Sequence, residues 1–234
     1  MKITSMLLIG AVALTTGNVW ADSGQDSIER LQMSTDVLHS IMSAPDKGIP
    51  EEVMEGAKCI VVVPNLIKGG FIVGGEHGRG IASCRTREGW SAPAFISVGG
   101  GSWGLQIGVE GVDLVMVVMN ERGLQHLLSS KFQISGSASA SAGPVGRHAS
   151  AGTDWKMNTE ILTYSRSHGV FAGITINGAV VQHDVDSTRA IYGRDRSFKS
   201  ILSGRVRAPK STQSFMRAIV ETGHAGTIAA ANDR

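Results

Sequence analysis

Short apolar runs interrupted by glycine fill residues 68–108 and limit what this chain can fold into. The stretch reads Lys68-Gly69-Gly70-Phe71-Ile72-Val73-Gly74-Gly75-Glu76-His77-Gly78-Arg79-Gly80, and later Ser102-Trp103-Gly104-Leu105-Gln106-Ile107-Gly108. Glycine inside strand-like sequence marks bulges, sharp bends or the close approach of two backbones. Few groups here could do chemistry. The stretch reads as scaffold, which points to a binding domain rather than an enzyme.

Residues 1–21 have the pattern of a cleaved secretory signal. Lys2 supplies the positive start, 6–14 the apolar core, and Val19-Trp20-Ala21 a small-x-small cleavage site before Asp22. The apolar part is shorter than the roughly 20 residues needed to span a bilayer. Removing it leaves 213 of 234 residues, and the formal net charge falls from +2 to +1 with the loss of Lys2. A charge so near zero selects no class of partner. Cys59 and Cys84 are the two cysteines. In an exported chain they form a disulfide or remain two buried thiols; spacing does not decide, because bridge geometry is strict.

The periodicity predicts a helix over 26–42, with Ile28, Leu31, Val37, Leu38, Ile41 and Met42 mostly on one face. Asp26 followed by Glu29 resembles a capping box and places the helix start there. Pro50 opens a short helix over 51–58. The period then changes. A buried strand over 59–63 stops at Pro64, and further strands follow at 71–75, 79–85, 94–98, 105–109 and 114–119. Asn120 caps a helix to Leu128, and strands resume at 161–164 and 170–176. The small residues of 135–146 make either a flexible linker or a tightly packed strand. Beyond Ser197 the chain turns polar and basic, with a short amphipathic helix near 213–221. Short glycine-bearing connections favour antiparallel pairing. The expected fold is α+β: a strand-rich, largely antiparallel core with N-terminal, middle and C-terminal helices. The expected division is a signal at 1–21, a domain at 22–193 and a basic C-terminal extension at 194–234.

Gly100-Gly101-Ser102-Trp103-Gly104 satisfies G-x-S-x-G, the nucleophile-elbow pattern, but the elbow needs a helix directly after the serine. The residues that follow alternate like a strand, so a hydrolase using Ser102, with Asp154 or Asp184 and His183 or His224, is a weak alternative. The glycines of 74–80 have neither P-loop nor dinucleotide spacing. The seven histidines contain no pair at i, i+4. His183-Asp184-x-Asp186 reads as a solvated turn before it reads as a cation site. No cofactor and no metal are expected.

The charge distribution is more informative. Arg194, Arg196, Lys199, Arg205, Arg207, Lys210 and Arg217 face a single acid, Asp195, over 193–217. Such a segment is either a solvated basic tail or an attractor of anionic lipid headgroups. Nucleic acid does not fit an exported chain without interleaved aromatics.

The same chain carries a family resemblance. Ala57-Lys58-Cys59-Ile60-Val61-Val62-Val63-Pro64, then Lys68-x-Gly70-Phe71-x-x-Gly74 and Gly78-x-Gly80, resemble the opening of a SYLF lipid-binding domain. The segment from Ser102-Trp103-Gly104 to Gly108 resembles that family's Ser-x-Gly-x-Gln-x-Gly signature. Gly169-Val170-Phe171-Ala172-Gly173-Ile174-Thr175-Ile176-Asn177-Gly178 and Ala190-Ile191-Tyr192-Gly193 resemble its closing blocks. The resemblance runs over about 28–193. It implies a non-enzymatic domain that binds phospholipids, phosphoinositides in eukaryotic relatives, some of which also bind actin. An exported chain of this kind is similar to the bacterial branch, where the implied partners are anionic phospholipid or lipopolysaccharide headgroups at the periplasmic face. The motifs are glycine and apolar positions, so they imply the fold and not the ligand contacts. The headgroup candidates, read from charge, are Lys68, Arg79, Arg194, Arg196, Lys199, Arg205 and Arg207. The membrane-insertion candidates are Ile28, Leu31, Leu38 and Ile41, whose alternative is packing on the protein's own sheet. An envelope protein-interaction or structural module is the competing reading.

Overall fold

The computed structural model describes residues 19–42, 48–71, 73–103, 108–134, 139–144, 159–167, 170–173 and 178–232. Helix α1 is Val19–Met42 and α2 is Glu51–Gly56. Strands β1 Cys59–Phe71, β2 Val73–Thr86, β3 Gly89–Trp90, β4 Ala94–Trp103 and β5 Gly108–Val118 follow, then helix α3 Glu121–Leu128. Next come β6 Lys131–Gln133, β7 Ala140–Ala142, β8 Ile161–Ser167, β9 Val170–Gly173 and β10 Val180–His183. The chain closes with α4 Val185–Tyr192, α5 Phe198–Leu202, a 3-10 turn at Lys210–Thr212, and α6 Gln213–Asn232.

The strands form one sheet in the order β6-β10-β4-β2-β1-β5-β8-β7, with β3 on β2 and β9 on β8. All described pairings are antiparallel except β7 with β8. The α+β reading with an antiparallel core therefore holds, with one parallel edge strand added.

Alternation along β1 explains why its first five residues are all apolar. Val61 and Val63 join one core with Ile96, Leu114, Leu127, Phe198 and Ile201. Ile60 and Val62 join the other, with Leu38, Phe95, Val117, Phe215 and Ile219. Helices cover both faces, α3 and α5 on one, α1, α2 and α6 on the other, so neither strand face can be polar. The segment after Gly193, read from sequence as an extension, supplies buried side chains to both cores.

Pro64 does not end β1. The ladder shifts register on both sides of the strand between Val62 and Ile67, and Asn65 sits at φ 49. Proline cannot donate to a ladder and is tolerated at a bulge, and asparagine is among the few residues that adopt positive φ. The strand bends there and continues to Phe71. The expected strands 71–75 and 79–85 are likewise one: Phe71 ends β1, and Val73 starts the return strand β2.

Helix α1 begins at Val19, so Asp26 is not its N-cap. Its carboxylate instead lies 3.4 Å from the Arg79 guanidinium on β2. Helix α2 stops at Gly56, and Pro50 occupies its N-cap position. Asn120 does cap α3, its side chain accepting from the Gly123 N–H at 2.9 Å. The C-terminal helix runs on to Asn232, past the expected end at 221. Of the expected small-residue segment, Ala140–Ala142 forms β7; 135–138 and 145–146 lie outside the described residues, as do 1–18, 104–107 and 174–177. Gly143 lies against the buried Tyr164 ring so closely that a Cβ there would overlap it, which accounts for small residues at this place.

Cys59 and Cys84 are directly paired across β1 and β2 and joined as a disulfide, both almost fully buried. Among the described residues no helix is long and apolar enough to cross a membrane.

Candidate functional site

The residues after Gly193 are held over one end of the sheet, where β2 finishes and β4 starts. Tyr192 donates its hydroxyl to the Pro93 carbonyl at 2.7 Å, just before β4. Gly193 closes α4 at φ 69, and the chain turns into α5. Phe198, the first residue of α5, stacks on His183 at 3.6 Å between ring centroids. Gly204, at φ 78, rests against Thr86 at the end of β2, a turn that any β-carbon would strain. Val206 then enters the core.

This docking leaves the basic side chains outside. Arg194, Lys199, Arg205 and Arg207 are exposed and Arg196 is half-buried. Among the described residues none of the five takes part in an ion pair. The Arg205 N–H donates to the Ser200 carbonyl, which folds the loop bearing Arg205 back beside α5. The Nε of Arg196 is shielded from solvent and has no hydrogen-bond acceptor among the described residues. Asp195, the one acid in the segment, is engaged elsewhere: Arg189 Nε donates to it at 2.6 Å, and this bond holds its carboxyl below the usual carboxylate range. Arg189 is the residue that charge counting missed. It lies only six positions upstream, but nothing in the spacing says that the chain turns back at Gly193.

The remaining headgroup candidates stand apart from this cluster. Lys68 lies on β1 between cross-strand neighbours Glu76 and Glu110, a row with one more acid than base. Burial pushes the Glu76 carboxyl above its ordinary value, opposed by the charge of Lys68. Arg79 faces Asp26 of α1. The insertion candidates are also divided. Leu31 and Leu38 are 3% and 0% exposed, because α1 packs that face on the sheet. Ile28 is 45% exposed but stands beside Glu29, and Asp36 follows two turns later on the exposed side, so the outer face of α1 is acidic rather than basic. The Ile41 side chain lies outside what the structure describes. Packing on the protein's own sheet is what α1 does.

The catalytic and metal alternatives can be placed too. Ser102 lies within β4, paired with Gly74; residues 104–107, where the helix of an elbow would begin, lie outside the described residues. In His183-Asp184-x-Asp186 each group has another task. His183 stacks on Phe198, and burial lowers its pKa against hydrogen bonds to the Leu127 and Ser129 carbonyls. Asp184 caps α4, accepting from the Ser187 N–H at 3.0 Å and its hydroxyl at 2.7 Å, and pairs with the buried Arg30 at 2.9 Å. Burial opposes its ionisation, but these bonds together outweigh that and hold the carboxyl below the usual range. Asp186 lies 3.7 Å from Arg189.

Comparison with known proteins follows the same chain segments. A family model described as Ysc84, Las17-binding protein actin regulator, matches residues 99–222. The chain is 32% identical over 176 residues to Protein YSC84 of Saccharomyces cerevisiae, covering 74% of this chain and 37% of that protein. It is 33% identical over 175 residues to SH3 domain-containing protein PJ696.02 of Schizosaccharomyces pombe, covering 73% and 40%. It is 32% identical over 175 residues to SH3 domain-containing YSC84-like protein 1 of Rattus norvegicus, covering 74% and 51%. The chain thus spans about half or less of the length of these curated relatives.

Proposed function

The chain belongs to the Ysc84 family, the SYLF-domain family its motifs resemble, and from that premise we propose that it binds anionic lipid surfaces without catalysing a reaction. The observation that carries this reading is the basic cap: Arg194, Arg196, Lys199, Arg205 and Arg207, unpaired and held by a packed segment over one end of the sheet. Each Lys or Arg near an anionic bilayer contributes about 1 kcal/mol. A cluster of five, with Asp195 neutralised from within, draws in phosphate headgroups where the protein's net charge of +2 would not. Phospholipid and lipopolysaccharide phosphates share that chemistry. The proposed site of action is the periplasmic or extracellular face of an envelope membrane. The leader-like sequence of 1–21 supports export, and a buried disulfide suits an oxidising compartment.

The test is co-sedimentation of the purified protein with phosphatidylcholine vesicles with and without phosphatidylglycerol, at low and high salt. Binding confined to the anionic vesicles and weakened by salt is expected. Arg194→Glu, Arg196→Glu and Lys199→Glu together remove at least ~3 kcal/mol, about 100-fold in affinity. Undiminished binding by this triple variant would refute the basic cap as the headgroup site.

A second reading rests on the relatives' names, which describe Las17 binding and SH3 domains. It makes the chain an interaction or structural module of the envelope, with a protein partner. Failure to bind any vesicle would favour it.

A further inference from the structure

The basic cap is fastened to the sheet through a histidine. His183 is the last residue of β10, and its ring stacks on that of Phe198 with centroids 3.6 Å apart and planes 14° apart. Phe198 is buried and is the first residue of α5, the helix that carries Lys199 and leads into the loop bearing Arg205 and Arg207. The same ring donates to the carbonyls of Leu127 and Ser129 at the C-terminal end of α3. His183 thus joins β10, α3 and α5 at one point.

The Nε2 of this ring is shielded from solvent and has no hydrogen-bond partner among the described residues. The nitrogen that donates to the α3 carbonyls is therefore Nδ1, which assigns a neutral Nδ1–H tautomer. A second proton would add a shielded N–H without an acceptor, and a charge beneath α5; both are costly. Burial accordingly lowers the His183 pKa below its ordinary value, and the two carbonyls offset only part of that.

Neighbouring charges do not favour the charged ring. Strand β4, which pairs His183 with Ile96, carries no charged residue from Ala94 to Trp103. Strand β6 brings Lys131, α5 brings Lys199, and Arg196 precedes α5; all three are cations. On α3, Glu121 accepts from Gln125 at 2.8 Å, while Arg122 and His126 lie 3.6 and 3.5 Å from Glu160. The adjoining Asp184 is engaged by Arg30 and Ser187.

We propose that His183 is a proton-operated latch of the basic cap: the neutral ring holds Phe198 and with it residues 194–207, and protonation releases that segment by local opening. In the open form Nε2 meets water, and the ring takes its proton at the ordinary value, about 6.5. Opening therefore binds a proton that the closed form resists. The closed form is fully favoured above that pH and loses ground below it. The opening equilibrium rises by up to about tenfold per pH unit until the ring also protonates in the closed form. The latch governs the residues of the headgroup reading, but it is a property of the protein alone and its test needs no lipid.

The experiment is amide hydrogen exchange of the purified protein at pH 7.5, 6.5 and 5.5, each rate divided by the intrinsic rate at that pH. The reporters are the Ser203, Gly204 and Arg205 N–H groups, which donate to the Lys199, Ile201 and Ser200 carbonyls and close the turn after α5. Their protection should fall several-fold, up to about tenfold, between pH 7.5 and 5.5. His183→Phe keeps a ring on Phe198 and has no proton to gain, so its cap protection should not change with pH. His183→Asn, which keeps a donor for the α3 carbonyls, should be equally flat. Phe198→Leu removes the stack and should lower cap protection already at pH 7.5. His126→Gln should keep the parent's pH dependence, which assigns it to His183. Parent protection constant with pH to within about twofold, or a parent-like pH dependence in the His183 variants, would overturn the inference. So would cap amides as protected as those of Val61 and Val62 at every pH, because the cap would then open only with the whole fold.

Discussion

Replacing Arg30 with methionine tests the polar link that fixes α1 and α4 to each other. The Arg30 side chain is 4% exposed and that of Asp184 13% exposed, with their charged atoms 2.9 Å apart. Methionine keeps an unbranched apolar stem and removes the guanidinium, and with it both the ion pair and the cation over the Phe95 ring at 5.5 Å. Breaking a buried ion pair on one side costs roughly 3–5 kcal/mol, because the remaining charge stays out of water without its partner. Asp184 keeps both bonds from Ser187, which places the expected loss at the lower end, about 3 kcal/mol. In a domain of this size that lowers Tm by about 6–12 °C. Urea unfolding of the parent, Arg30→Met, Asp184→Asn and the double variant gives the coupling directly. The double variant should cost less than the sum of the singles by more than about 0.5 kcal/mol, the scatter seen between independent sites.

The pH dependence has a defined sign. The folded-state pKa of Asp184 is held below its unfolded value, ordinarily about 3.9. Its contribution is therefore complete above that value and is lost as pH falls through the folded one. The Arg30→Met penalty should be full at pH 7 and shrink below about pH 4. Strict additivity at pH 7, or a penalty that is constant down to pH 3, would refute the reasoning.

Three further outcomes are expected. Reducing the Cys59–Cys84 disulfide, or replacing both residues with alanine, releases a cross-link between positions 25 apart and should cost about 3 kcal/mol, seen as a lower urea midpoint. Gly80→Ala drives a Cβ into the Val62 carbonyl oxygen and to within 2.7 Å of a Val63 methyl; it should destabilise by ~1–3 kcal/mol, and an unchanged midpoint would show that β1 and β2 separate freely there. Asn120→Ala removes the cap of α3 and the bond its amide donates to the Thr159 carbonyl at 3.2 Å, for a loss of about 1 kcal/mol; Asn120→Asp should restore only the cap, because a carboxylate accepts from the Gly123 N–H but cannot donate to Thr159.

Periodicity and capping chemistry were enough to read α3 with its Asn120 cap, the apolar start of β1, and the alternation of the main strands, because those signals lie within a few residues of one another. They failed where a distant partner decides. Asp26 has the spacing of a capping box, yet α1 runs past it and Arg79, more than fifty positions away, takes its carboxylate. Pro64 has the composition of a strand end, yet pairing on both flanks carries β1 through it as a bulge. Leu31 and Leu38 fit an interfacial helix as well as a packed one; only the sheet beneath α1 chooses between them.

The sequence by itself determined the family, the strand-rich class, the glycine positions and the presence of a basic segment, since each is a property of residue type and order. Only the tertiary structure decided which charges are free. Lys68 lies in a row with two acids and Arg79 beside one, whereas Asp195 is withdrawn by Arg189, so the five basic residues from Arg194 to Arg207 remain unopposed at one end of the sheet. The physical reason is that a side chain's charge is fixed by its chemistry, but its effect depends on neighbours within a few ångströms, which the fold supplies from positions remote in the chain.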